Sequence, residues 1–102
     1  MPKRAFTVRV ELHGVEEGSD KYTKLHDEMK SEGFVRFMKI DNGKFALPPA
    51  EYSRVSEESK MDVLKRAKRA AGRVMSSDDD FSILLTASET ARVHHNLTKI
   101  NN

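Results

Sequence analysis

The sequence predicts an α+β protein, specifically a ferredoxin-like βαββαβ sandwich with a four-stranded antiparallel sheet and two helices on one face. Three observations predict it. Apolar and polar residues alternate over residues 6–13 and 81–86, as in half-buried strands. Two segments between them have helical periodicity, and the pair Asn42-Gly43 is a strong hairpin signal. The resulting order of strand, helix, hairpin, helix and strand is that of the split βαβ fold.

The first helix has recognisable ends. Ser19 or Asp20 is the predicted N-cap, and Gly33 is the predicted residue just after the C-terminus, where a left-handed backbone favours glycine. The predicted buried face carries Tyr22, Leu25 and Met29.

The hairpin is predicted to turn at Asn42-Gly43, which would pair Ile40 with Phe45 and Met38 with Leu47. Pro48-Pro49 then interrupts the third strand, because proline has no N–H to donate to a ladder. Three outcomes are open there: a bulge, an edge position, or pairing only before and after the prolines.

Ser56 is the predicted N-cap of the second helix, with Glu57 and Glu58 in its first turn. The last core strand is predicted over residues 81–86. Residues 1–87 therefore form one predicted domain, and residues 88–102 form a tail for which a helix, a strand and disorder all remain open. The apolar positions of the second helix are Val63, Leu64, Ala67, Ala70, Ala71 and Val74.

Length and composition limit the size of the core, the types of site and the cellular location to be expected. The chain has 102 residues, no Cys and a formal net charge of +2, so it has room for one core and contains no disulfide or thiolate site. A reducing cytoplasm is the expected location, since no signal peptide or membrane-spanning segment is evident. So small a charge does not by itself predict nucleic-acid binding.

Arg9, Glu11 and His13 project from the same side of the predicted central strand. RNA cleavage needs a base for the 2′-hydroxyl and a cation for the developing phosphorane charge, and His13 and Arg9 are suitable candidates. The alternative is an ordinary polar sheet face with cross-strand ion pairs.

Five basic residues fall within nine positions of the second helix. This spacing puts several cations along one ridge, which suits an RNA phosphate backbone. The alternative is a solvated helix face that keeps a small protein soluble. The candidate RNA-binding residues are Lys65, Arg66, Lys68, Arg69 and Arg73.

The sheet face opposite the helices is predicted to be uncovered and half apolar. Val35, Phe37 and Leu84 on that face suit burial, so we expect a homodimer in which two such faces meet. No small-molecule cofactor is evident. A divalent cation is left open but not required, because Asp78-Asp79-Asp80 matches no known loop spacing.

Several phrases carry a resemblance: residues 6–13, Lys21-Tyr22 with Leu25-His26, Gly33-Phe34, and residues 81–86, together with Leu47-Pro48 and Ala50-Glu51-Tyr52. With them the chain resembles the GhoS-like small proteins of bacteria and their phages and, more distantly, the small ferredoxin-fold nucleases of CRISPR spacer acquisition. The resemblance implies an antitoxin that acts as an endoribonuclease on the messenger RNA of its toxin. The alternative is a non-catalytic homodimeric binding or adaptor module.

Overall fold

The computed structural model describes residues 3–40, 43–90 and 92–100. The α+β class is confirmed, with two α-helices and two antiparallel sheets of three strands each. The elements are β1 (Arg4–Leu12), α1 (Asp20–Ser31), β2 (Phe37–Ile40), β3 (Gly43–Ala46), β4 (Glu51–Ser56), α2 (Lys60–Gly72), a 3-10 turn (Asp78–Asp80), β5 (Phe81–Ser88) and β6 (Lys99–Ile100).

The first sheet has the order β4-β1-β5 and the second has the order β2-β3-β6. One isolated bridge joins them: the Val35 N–H donates to the Ser53 carbonyl at 2.9 Å, and the Ser53 N–H donates to the Val35 carbonyl at 2.7 Å. The predicted third strand is divided in two, because Pro48-Pro49 cannot donate and the chain pairs only before and after them. Ala50 follows with φ at +65°.

The predicted hairpin register is wrong by two residues. Met38 pairs with Phe45 and Ile40 with Gly43, while Asn42 lies outside the described residues. The Phe45 ring lies close over Gly43, where a Cβ would sit 2.9 Å from a ring carbon, so a larger residue here would require the ring to shift. A slip of two residues keeps every side chain on its predicted face, and Met38 stays buried.

The limits of α1 agree with the prediction. Ser19 is the N-cap, and Gly33 has φ at +91°. The Arg54 guanidinium lies against Gly33 and donates to its carbonyl at 3.2 Å, so a Cβ at position 33 would overlap Arg54. Arg54 therefore binds the C-terminal end of α1, where a cation also favours the helix dipole.

The predicted cap of α2 is wrong. Ser59 is the N-cap, and its Oγ accepts from the Asp62 N–H at 3.1 Å. Ser56 ends β4 instead, and Glu58, which precedes the helix, binds Arg54 of β4 and Arg66 of α2.

The core lies between the helices and the first sheet. Alternate residues of β1 point into it, and the small residues Ala67, Ala70 and Ala71 let α2 approach closely. The remaining residues of β1 lie on the opposite face, which no helix covers. The fully buried side chains include Phe6, Val8, Val10, Leu25, Met29, Tyr52 and Val63.

The prediction that the chain leaves this opposite face uncovered is wrong, because the tail after β5 covers part of it. The Arg92 guanidinium crosses it and donates to Thr7 Oγ1 at 3.1 Å and Ser53 Oγ at 2.9 Å. Burial lowers the pKa of Arg92. Farther along, the two residues of β6 pair with β3. The tail therefore covers the part of the face near β4. Among the described residues, no helix is both long and apolar enough to cross a membrane.

Candidate functional site

Arg9, Glu11 and His13 all lie at the exposed face of β1 and its C-terminal end, as the alternation predicts. They line one depression of about 550 Å³, whose floor includes Tyr22 and Ala50. We call this depression the β1 groove. It brings a guanidinium, a carboxylate and an imidazole to a single concave surface.

The His13 ring is held on both sides. Its Nδ1 lies 3.2 Å from the Asp79 carbonyl, and its Nε2 lies 2.8 Å from Ser82 Oγ. A carbonyl only accepts, so the neutral ring carries its proton on Nδ1. The Nε2 lone pair is then free to accept, here from the Ser82 hydroxyl. Glu11 Oε1 lies 3.7 Å from the same Nε2.

The acidic run Asp78–Asp80 supports this imidazole through its backbone. Its 3-10 turn begins at Ser77, whose Oγ accepts from the Asp79 N–H at 3.2 Å. The turn presents the Asp79 carbonyl to the His13 ring and the Asp80 carbonyl to the His13 N–H at 2.9 Å. In the described part of the chain, no three His, Asp or Glu residues are grouped to hold a metal ion.

Arg9 lies opposite Glu51 on β4 and Leu84 on β5. Within the described ranges its guanidinium has no hydrogen-bond or ion-pair partner. An exposed arginine of this kind, on the wall of a groove, is available to a phosphate.

The predicted basic ridge is organised differently from the groove. Three of its arginines bind acids of α1 and of the segment before α2. Arg66 binds Glu58 at 2.7 Å, Arg69 binds Glu32 at 3.1 Å, and Arg73 binds Glu32 at 2.7 Å and Glu28. These pairs join the two helices and offset much of the ridge's charge. Lys65 and Lys68 are exposed and form no ion pair with any described residue.

These ion pairs lower the pKa of the acids that take part in them. Hydrogen bonds from Arg66 and Arg54 lower the pKa of Glu58 to about 2, against the opposing effect of burial. Hydrogen bonds from Arg69 and Arg73 lower the pKa of Glu32 in the same way. Both carboxylates are therefore charged in the folded protein at neutral pH.

This network predicts acid sensitivity. Glu58 titrates near pH 4.5 when unpaired and near pH 2 when folded, so its contribution to stability is complete above about pH 5 and is lost as the pH falls towards 2. We expect Glu58→Gln to lower the free energy of unfolding at pH 7 by about 1–2 kcal/mol. Urea unfolding at pH 7, 4 and 2 measures this. The difference between variant and wild type must shrink on acidification, and a constant difference would contradict the prediction.

The structure shows a second polar cluster, which periodicity alone does not predict. His26 Nδ1 lies 2.7 Å from the hydroxyl of the fully buried Tyr52. A buried hydroxyl proton needs an acceptor, so Tyr52 donates and the neutral His26 carries its proton on Nε2. Burial lowers the pKa of His26, and nearby Arg36 lowers it further; burial raises the pKa of Tyr52. His26 and Arg36 line a depression of about 250 Å³, which we call the His26 pocket.

The three predicted interface residues lie in different environments. Leu84 is 68% exposed and Val35 is 37% exposed. Phe37 is half-buried, with the Lys44 ammonium 4.9 Å from its ring centroid. Val55, 58% exposed, lies on the same face as Leu84, because both are paired with outward-facing residues of β1.

Comparison with family models, curated proteins and solved structures finds no match to this chain.

Proposed function

We propose that this protein binds RNA in the β1 groove and cleaves it as an endoribonuclease. The observation that carries the proposal is the His13 imidazole, which the Asp79 carbonyl holds with Nε2 unprotonated towards the groove. A base in a fixed tautomer, with an arginine on the same strand face that has no partner among the described residues, suits 2′-hydroxyl activation and charge neutralisation at phosphorus.

The reaction is an internal transfer at phosphorus. His13 Nε2 takes the proton of the 2′-hydroxyl, displacing the Ser82 hydroxyl that it now accepts from. The 2′-oxygen bonds to phosphorus as the bond to the 5′-oxygen breaks, which gives a 2′,3′-cyclic phosphate. A water supplies the proton that the leaving 5′-oxygen takes up, and the hydroxide left behind takes the proton from the His13 imidazolium, which restores the neutral base. Arg9, which lines the same groove, is the residue we propose to neutralise the phosphorane charge. Glu11, 3.7 Å from Nε2, favours the imidazolium that forms.

The groove is a better RNA site than α2, because three of the five ridge residues already bind carboxylates. The finer fold assignment is part of the same proposal. The order β4-β1-β5, extended by the Val35–Ser53 bridge towards β2, supports a ferredoxin-like sheet interrupted at Pro48-Pro49. The resemblance to GhoS-like antitoxins supports a toxin messenger RNA as the target.

The test is incubation of the protein with a mixed RNA pool, with magnesium and with a chelator. The control is the Glu11→Ala/His13→Ala double variant, which changes only exposed side chains. Discrete cleavage by the wild type that is lost in the control supports the proposal. Intact RNA in every lane contradicts it.

A homodimeric binding module is the second candidate. Leu84, Val55 and Val35 expose apolar surface on one face. Arg9 and Glu11 on the same face of β1 carry opposite charges, which suits the self-complementary contact of a twofold interface. We expect Leu84→Asp to shift a dimeric species to monomer, as measured by sedimentation velocity. The exposed Met61→Asp on α2 is the matched control. A wild type that is monomeric at high concentration would contradict the dimer.

A further inference from the structure

The β1 groove and the His26 pocket adjoin each other. Glu17, Tyr22 and Ala50 line both of them. The two depressions are therefore successive parts of one concave track, which runs from His13 past Ala50 to His26 and Arg36.

The arginines of the two depressions share a property. Every other arginine in residues 3–40, 43–90 and 92–100 has its guanidinium in a hydrogen bond, an ion pair or both. Arg9 and Arg36 have no such partner there. One lies in each depression, so the track has an available cation at each of two stations.

We propose that the His26 pocket holds the phosphate of a neighbouring nucleotide in the same RNA strand, and that the substrate is single-stranded. This inference rests on the proposed ribonuclease function. Arg36 supplies the charge, and the His26 Nε2–H, set by the Tyr52 hydroxyl on Nδ1, supplies a neutral donor.

A single strand fits the track for two reasons. Its backbone can bend where the two depressions meet at Ala50. It can also bring a 2′-oxygen into line with the bond to be broken, which the geometry of a duplex prevents. Grooves that follow a backbone with spaced cations are typical of single-strand binding.

Acidic residues of the track repel the RNA phosphates, so acidic and basic residues are expected to have opposite effects on RNA affinity. Glu17 lies where the two depressions meet and is exposed. Its removal must tighten binding, whereas removal of Arg36 must weaken it.

The experiment measures the affinity of fluorescein-labelled 2′-O-methyl RNA, which lacks the attacking hydroxyl, by anisotropy. A hexamer spans both stations, and a dinucleotide spans one. We expect Arg36→Gln to weaken hexamer binding about 5- to 10-fold and to reduce the salt slope by about 0.7. Dinucleotide binding is expected to weaken less, because a dinucleotide can occupy the β1 groove instead. Glu17→Gln is expected to tighten hexamer binding. Lys68→Gln on α2 removes the same charge and is the matched control.

Each outcome decides a different point. If the wild type neither binds nor cuts any RNA, both the proposed function and this inference are overturned. If the wild type cuts RNA but Arg36→Gln binds the hexamer as tightly as wild type does, the inference alone is overturned. Equal weakening by Lys68→Gln and Arg36→Gln also overturns it, because the RNA would then lie along α2.

Discussion

Replacing His13 with alanine is expected to lower the rate of RNA cleavage by about 10²- to 10⁴-fold, the usual contribution of a positioned general base. The affinity for uncleavable RNA is expected to change little. His13 is exposed, and the polar partners of its ring among the described residues are the Asp79 carbonyl, Ser82 and Glu11. Its loss therefore removes the proton acceptor while the core and the Arg9 side of the groove stay intact.

Single-turnover cleavage of a labelled oligonucleotide measures this rate, and circular dichroism verifies the fold. Ser82→Ala is the matched control, because it removes the hydrogen bond from the Ser82 hydroxyl to the ring but leaves Nε2 able to accept. We expect the control to retain activity within a few fold. Equal losses in both variants would show that the pair acts structurally and would contradict the assignment of His13 as base.

Replacing Tyr52 with alanine is expected to lower the free energy of unfolding by about 3–5 kcal/mol, the usual cost of deleting a fully buried aromatic ring. Tyr52 is completely buried near the start of β4, directly opposite Val8. The truncation leaves a cavity in the core and removes the donor to His26 Nδ1.

Tyr52→Phe separates the two effects. It keeps the ring and deletes only the hydroxyl, so we expect a cost of about 1 kcal/mol. Urea unfolding followed by circular dichroism measures both variants. If Tyr52→Ala cost no more than Tyr52→Phe, packing of the ring would not be the main contribution of this residue.

Sequence patterns over a few neighbouring residues correctly predicted the elements that depend on those residues alone. The alternation along β1 and the helical face of Tyr22, Leu25 and Met29 depend on neighbouring residues and agree with the structure. The prediction of the N-cap of α2 was wrong because two nearby serines, Ser56 and Ser59, could each cap the helix. Ion pairs of Glu58 decided between them, and the arginines involved are not visible to a capping rule.

In the candidate site, too, features that depend on neighbouring residues were predictable and contacts between distant residues were not. The common face of Arg9, Glu11 and His13 follows from a period of two, so it was predictable. The pairing of Arg69 and Arg73 with acids of α1 joins residues about forty positions apart in the chain, and Arg92 reaches Thr7 across 85 positions. A periodic pattern contains no information about such contacts. The sequence therefore did not show that the arginines of the basic ridge are paired with acids, or that the tail covers part of the sheet face.

The most direct test of the central claim is a titration of ¹⁵N-labelled protein with an uncleavable single-stranded RNA, followed by amide chemical shifts. If RNA lies in the β1 groove, the largest shifts will come from residues 9–17, Ala50 and Ser82, and those of α2 will stay small. Shifts confined to Lys60–Gly72, or no shifts at all, would contradict the account.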